Sequence, residues 1–230
     1  MLIPDLLTDI LQTMRLEHTI LRRCELTAPW GIRFPAEVGE AIFHIITRGQ
    51  CWLQIDGQTL LLAKGDFVMF PHGHEHIICD ALSSTIIDFE DTSIMRPNHG
   101  YNSISFGGDG LPIELLAGCF QVRADHRNPL LSSLPSLIHI RSDHGQLVPW
   151  LETTLQYITA ELAISQLGFQ TVIARLVDVL FIQAVRAYIA TISDDRRNWL
   201  RALTDNQIVI ALSLMQRSPE KPWTVASLAE

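Results

Sequence analysis

Three histidines at alternate positions, His72, His74 and His76, stand beside Glu75 in GDFVMFPHGHEH, the stretch from Gly65 to His76. Neutral imidazole is the commonest protein ligand for zinc, iron, nickel or copper, so these residue types suit a metal centre. A regular strand would put all three rings on one face, but Pro71 and Gly73 favour a corner that sends them in different directions. A metal site also needs three or four ligands converging from separate elements. His44, inside the apolar run AIFHIIT, is the candidate from a second strand. A buried ring among Ile42, Phe43, Ile45 and Ile46 must find a partner, and a metal is one such partner. The plainer alternative gives His44 a backbone carbonyl and leaves the other rings in an exposed loop. No acid/base pair is held together by spacing, so no catalytic residue is assigned.

The elements that would position these groups are short strands. From about Leu21 to Val122 the chain reads AIFHIIT, CWLQI, QTLLLA and FVMF, cut by Arg48-Gly49, Asp56-Gly57 and Lys64-Gly65-Asp66. Asp56-Gly57 supplies the positive φ angles of a two-residue turn and predicts a hairpin over 51–62. Further runs at 77–79, 84–89 and 115–122 bring the count to at least seven, which points to a sandwich or barrel. Residues 98–112, with four glycines, read as an irregular loop over one mouth, a connection or a lid.

Helical spacing frames this region. Leu2, Leu6, Leu7, Ile10, Leu11 and Met14 predict a short opening helix. After about Asp125 come a helix through Trp150, Leu155, Ile158 and Leu162 and, beyond a break at Gly168, a second through Val172–Tyr188. That second helix is apolar around most of its circumference, so it is either enclosed within the chain or meets a partner subunit. The latter is expected, with Val177, Phe181 and Val185 as dimerisation residues. A third helix is predicted over 205–217, with Thr204 and Gln207 as a capping box and Ile208, Leu212 and Met215 as its buried stripe. Past SPEKPW, Thr224 can cap one more short helix.

Composition bounds the classes. A chain of 230 residues, 47% apolar and 18% charged, with a mean hydropathy of +0.19, is neither disordered nor fibrous. Asp5 and Asp9 interrupt the first apolar stretch, and Arg175, Asp178, Gln183 and Arg186 interrupt the longest one. Neither a secretory leader nor a membrane span is expected. Cys24, Cys51, Cys79 and Cys119 have no paired spacing and read as the reduced thiols of a cytoplasmic protein. The formal charge of −8 argues against a nucleic-acid grip over the whole surface. Residues 196–230, however, carry five basic groups against three acidic ones, which is compatible with a basic module at that end.

The spacing of Gly65, Pro71, Gly73 and His76 resembles the second cupin motif, whose histidine is a ligand in metal-binding members. The first motif is degraded: Glu37, Glu40 and a single His44 stand where two histidines and a glutamate would be expected, and Ile42 takes the glutamate's place. A closer resemblance is to the AraC-type transcriptional regulators with a cupin sensory domain. FHIITRGQCWLQIDGQ, LLAKGDFVMFPHGHEH, NPLLSSLPSLIHI, the helix pair, and WLRALTDNQIVIALSLMQRSPEKPWTVASLAE carry it in order. The last block is similar to the opening of the family's DNA-binding domain.

The resemblance implies a mainly β plus α fold, a cupin-like antiparallel β-barrel (jelly roll) followed by a helical dimerisation and linker region. The expected domains are a sensory barrel at 1–125, helices at 126–195 and the start of a helix-turn-helix domain at 196–230. It implies a non-catalytic homodimer sensing a small molecule or metal, with DNA contacted through a module beyond residue 230. Relatives carry a cysteine just before the glycine of the strand after the Gly-rich loop; here Ala117 precedes Gly118, and Cys119 follows. The implied ligand set for one divalent ion such as zinc is therefore His44, His72, His76 and Cys119. Effector-binding residues are not assigned. The alternatives are a metal-dependent cupin enzyme, a dioxygenase or isomerase, and a non-catalytic small-molecule binding module.

Overall fold

Six consecutive residues of strand β3 (Glu40–Arg48), Ala41 to Ile46, are buried. Side chains alternate along a strand, so an unbroken buried run requires cover on both faces. The cover differs on the two sides. Ala41, Phe43 and Ile45 enter an apolar cluster built largely with helices, whereas Ile42 and Ile46 enter a second cluster between two sheets. The result is helices, a seven-stranded sheet and a five-stranded sheet, in that order.

The computed structural model describes residues 7, 8, 11, 14–89, 96–97, 103–123, 129–142, 148–164, 166–192, 200, 206–218 and 220–228. The strands around β3 are β1 (Arg15–Thr27), β2 (Gly31–Phe34), β4 (Gln50–Ile55), β5 (Gln58–Ala63), β6 (Phe67–Phe70) and β7 (His76–Cys79). They continue with β8 (Ile87–Asp88), β9 (Arg96–Pro97), β10 (Ser103–Gly107), β11 (Pro112–Arg123) and β12 (Ile138–Ile140). One sheet runs β12-β6-β3-β11-β1-β10-β9 and the other β5-β4-β7-β2-β8. The expected mixture of β and α is present, but among the described residues the strands form two sheets rather than a closed barrel. Most pairs are antiparallel; β1 with β10 and β2 with β8 are parallel. The predicted hairpin joins β4 to β5, with positive φ at both Asp56 and Gly57.

The helices that follow include α1 (Pro129–Ser133), α2 (Pro149–Ile164), α3 (Phe169–Thr191), α4 (Asn206–Arg217) and α5 (Val225–Leu228). Gly168, in the left-handed conformation, separates α2 from α3. Among the described residues no helix is long and apolar enough to cross a membrane.

Four sequence expectations need correction or restriction. Val177, Phe181 and Val185 are buried within this chain's own core, and Phe181 meets Phe120 edge-on at 5.5 Å. α3 is apolar around so much of its circumference because the sheet and α2 enclose a broad arc of it, and these three residues cannot form a subunit contact. Secondly, the predicted loop over 98–112 contains β10, parallel to β1. The polar–apolar alternation of Ser103-Ile104-Ser105-Phe106 is a strand signal that the neighbouring glycines mask. Thirdly, α4 packs Leu212 against the core as predicted, but buries Val209 and leaves Ile208 and Met215 exposed. Lastly, Leu7, Thr8 and Leu11 are helical as predicted, and most of the rest of that opening helix lies outside the described residues, as does the Thr204 cap. The Thr224 cap is present: Thr224 and Ser227 exchange backbone-to-side-chain hydrogen bonds at the start of α5.

Candidate functional site: a histidine pair beneath an inter-sheet cavity

The two sheets bring together residues that lie 32 positions apart. His44 comes from the middle of β3, opposite Ala117 of β11 and Val68 of β6. His76 opens β7 in the other sheet. The corner before it is formed as the sequence predicts, by Gly73 at a φ of +62°. A Cβ there would strike the Glu37 carbonyl, and Glu37 N–H in turn donates to the Gly73 carbonyl at 2.9 Å. The corner is thus held against the β2–β3 connection, and His76 is directed into the space between the sheets.

Nε2 of His44 and Nε2 of His76 are 2.8 Å apart, and both residues are almost completely buried. The placement of the protons follows from the surroundings. His76 Nδ1 lies 2.8 Å from the His74 carbonyl, which can only accept, so Nδ1 carries a hydrogen. Burial between the rings of Phe34 and Phe70, stacked at 4.9 and 3.8 Å, disfavours a charged imidazole and lowers the His76 pKa to about 4. His76 is therefore neutral, with a bare Nε2. His44 must supply the shared proton from its own Nε2, which leaves its Nδ1 bare as well. His44 is also neutral: burial, then the proximity of His76, hold its pKa well below the ordinary value. Its Nδ1 is buried and has no hydrogen-bond partner among the described residues.

Above this pair lies a cavity of ≈ 440 Å³. Its apolar wall includes Cys24, Phe34, Ile42, Ile104 and Ala117, and His44 contributes to its lining. Arg22, Glu37 and Glu40 supply the polar part. Among these, Arg22, Phe34 and Ile104 were not singled out in the sequence, and Cys24 only as a thiol; the period of β10, had it been read as a strand, would have pointed Ile104 inward. Trp30, whose buried Nε1 also lacks a partner among the described residues, lines a smaller void of ≈ 10 Å³ that shares Cys24, Phe34 and Ile104 with the larger one.

The other residues of the expected metal set are placed differently. His72 donates from Nε2 to the Leu134 carbonyl at 3.1 Å and so ties the corner to the segment after α1. Cys119 faces the cavity two residues beyond Ala117, and burial, then the negative charge of Glu40, push its thiol up to about 11. Among the described residues no group of three or more His, Cys, Asp or Glu side chains could hold a metal ion. Two imidazoles between aromatic rings do not make the closed four-ligand set of a structural zinc.

Two other polar features are satisfied internally. Asp66 accepts from Ser142 N–H at 2.8 Å, Ala63 N–H at 3.1 Å and His139 Nε2 at 3.2 Å. Burial alone would raise its pKa, but these bonds outweigh that and hold it at about 2, so the cluster fastens β12 to the β5–β6 turn. On the helix side, a hollow of ≈ 460 Å³ between Met14 and α3 is lined by Arg175 and Asp178, which pair with each other at 2.9 Å.

A cupin family model matches residues 5–190. Over 98% of its length the chain is 32% identical to the HTH-type transcriptional regulator AlkR of Acinetobacter baylyi, covering 74% of that protein. It is 27% identical to a putative AraC-like transcription regulator of Streptomyces antibioticus, again over 98% of this chain and 73% of the relative. The chain thus spans about three quarters of the length of both. Among solved structures, ToxT of Vibrio cholerae aligns with 94% of this chain and 71% of its own at 9% identity, with a TM-score of 0.42.

Proposed function

Since the chain belongs to the AraC-like transcriptional regulators with a cupin domain, we propose that its two sheets form the sensory body, holding a mainly apolar effector in the cavity above His44. The observation that carries this reading is the alternation along β3. Ile42 and His44 line the cavity, while Phe43 and Ile45, between and beyond them on the same strand, pack in the core that contains α2 and α3. A molecule that shifts β3 from one side displaces the seat of the helices on the other. Interiors are too densely packed to absorb such a shift locally. Effector binding then biases the arrangement of helices that present the DNA-binding module, provided that the effector has different affinities for the two arrangements.

Hydrogen exchange tests the coupling. With octane or octan-1-ol as probe, protection is expected in β3 and β11 and also in α3. Protection confined to the strands would overturn it.

The reading is that of a cytoplasmic, non-catalytic binding module, supported by the relatives' designation as transcriptional regulators. DNA contact is assigned to helix-turn-helix units of the kind their names record. A homodimer, if formed through the helices, must use their outward faces, where Tyr157, Val172 and Val179 are exposed. A metal ion on His44 and His76 is the competing occupant. The bond from His76 Nδ1 to a backbone carbonyl is of the kind that orients metal-bound histidines. Elemental analysis decides: one equivalent of zinc, lost in His76→Phe, would establish the metal.

A further inference from the structure

Resting on that sensory reading, we infer that the cavity selects an uncharged, mainly apolar molecule bearing one O–H or N–H group, and that this group donates its hydrogen to Nδ1 of His44. The inference follows from the proton order. The His74 carbonyl fixes the hydrogen of His76 on Nδ1, so His44 spends its only hydrogen on His76 and its second nitrogen is left as a buried acceptor. The neighbours that enclose the ring offer it no donor: Phe34 lies at 4.8 Å between centroids, Phe70 at 5.9 Å, and Val68 and Ala117 face it across the sheet. Such an acceptor is costly to leave unmet; His44 is one of the residues that line the cavity, and because its Nδ1 is buried, a ligand reaches it only as a neighbouring side chain moves aside.

The same geometry sets what is rejected. An alkane fills the apolar space but leaves Nδ1 unpaired. A carboxylate has no hydrogen to give and would set its own lone pairs against that of His44, in a cavity whose lining carries two carboxylates, Glu37 and Glu40, against the single guanidinium of Arg22. An ammonium ion has hydrogens but must shed its water to reach an apolar wall. A neutral alcohol, phenol or amide meets every condition, and ≈ 440 Å³ lies within the range of small-molecule sites.

The experiment is a titration of the full chain with octan-1-ol, octane and octanoate, three probes of one chain length. Octan-1-ol is expected to bind about tenfold more tightly than octane, as a net hydrogen bond predicts, and octanoate more weakly than either. In His44→Leu the advantage of octan-1-ol over octane should vanish while octane still binds. Nitrogen NMR of the unaltered chain gives an answer that does not depend on that variant folding. Nδ1 of His44 should be unprotonated in the free protein and respond to octan-1-ol but not to octane.

Equal affinity for octane and octan-1-ol, tightest binding of octanoate, or a hydrogen on His44 Nδ1 overturns the inference. If α3 still responds to the probes, the sensory reading survives that result. Preference for the alcohol with no response in α3 would instead keep the donor site and remove the sensory coupling. Binding of none of the three sinks both.

Discussion

The two faces of the seven-stranded sheet are built from the same strands and treat their residues in opposite ways. On the helix side, Phe43, Phe67, Phe120, Phe181, Val177 and Ala184 are almost completely buried in one apolar cluster. Between the sheets, the apolar residues surround a cavity, two neutral histidines and two polar groups that lack partners among the described residues, His44 Nδ1 and Trp30 Nε1. The helix face is packed for stability apart from the hollow between Met14 and α3; the other gives up packing and hydrogen bonds that a ligand could restore. Sites of binding are commonly where local rules of packing and polar satisfaction are broken.

The largest effect should come from charging the filled face. Val177→Glu places an unpaired carboxylate in the helix-side core and is expected to cost on the order of 4 kcal/mol or more, so that the chain unfolds rather than remaining a soluble monomer. Circular dichroism and sedimentation would show which, and a folded monomer would return α3 to the subunit interface.

The inter-sheet face should show its character in acid. The folded pKa of His76 lies near 4 against an ordinary 6.5, and that of His44 is also depressed, so the unfolded chain binds more protons between these values. Stability due to neutral rings is then fully present above about pH 6.5 and is lost as the pH falls toward 4, by a few kcal/mol in all. Urea titrations across this window check the slope, and His76→Phe should flatten it.

Adding volume sharpens the contrast. Ala184→Leu, on the filled side, should destabilise by about 1–3 kcal/mol. Ala117→Leu adds the same atoms beside the cavity and should change stability by less than about 1 kcal/mol while abolishing binding of octane. Equal costs for the two substitutions would show that the cavity does not hold the space assigned to it. The smallest effect belongs to Val179→Ser on the outward face of α3, within about 0.5 kcal/mol for a single chain. A fall in oligomer mass in that variant would identify the helices' outward face as a subunit contact.

How far the sequence foretold this arrangement depended on whether the signal was local. The hairpin at Asp56-Gly57, the break at Gly168 and the corner at Gly73 are written in residues that accept positive φ, and all three occur where expected. That His44 would need a partner followed from one polar residue in an apolar run. Which partner it found did not, because His76 reaches it across the gap between two sheets, and nothing in either segment records that distance. Periodicity likewise shows that α3 is apolar on most sides without saying whether a sheet or a second molecule covers it. For β10 the glycines outweighed a four-residue alternation, and Ile104 was lost from the cavity wall with it.

Gly118 lines the inter-sheet cavity and sits opposite Phe43 in the β3–β11 pairing. A Cβ at this position would come within 2.3 Å of the Phe43 ring, so the ring rests in the gap that the absent side chain leaves. Any larger residue there acts as a wedge that no effector has to supply, pressing Phe43 toward the helices permanently. On the proposed sensory reading, a screen for mutants that no longer respond to an effector should collect alleles at codon 118.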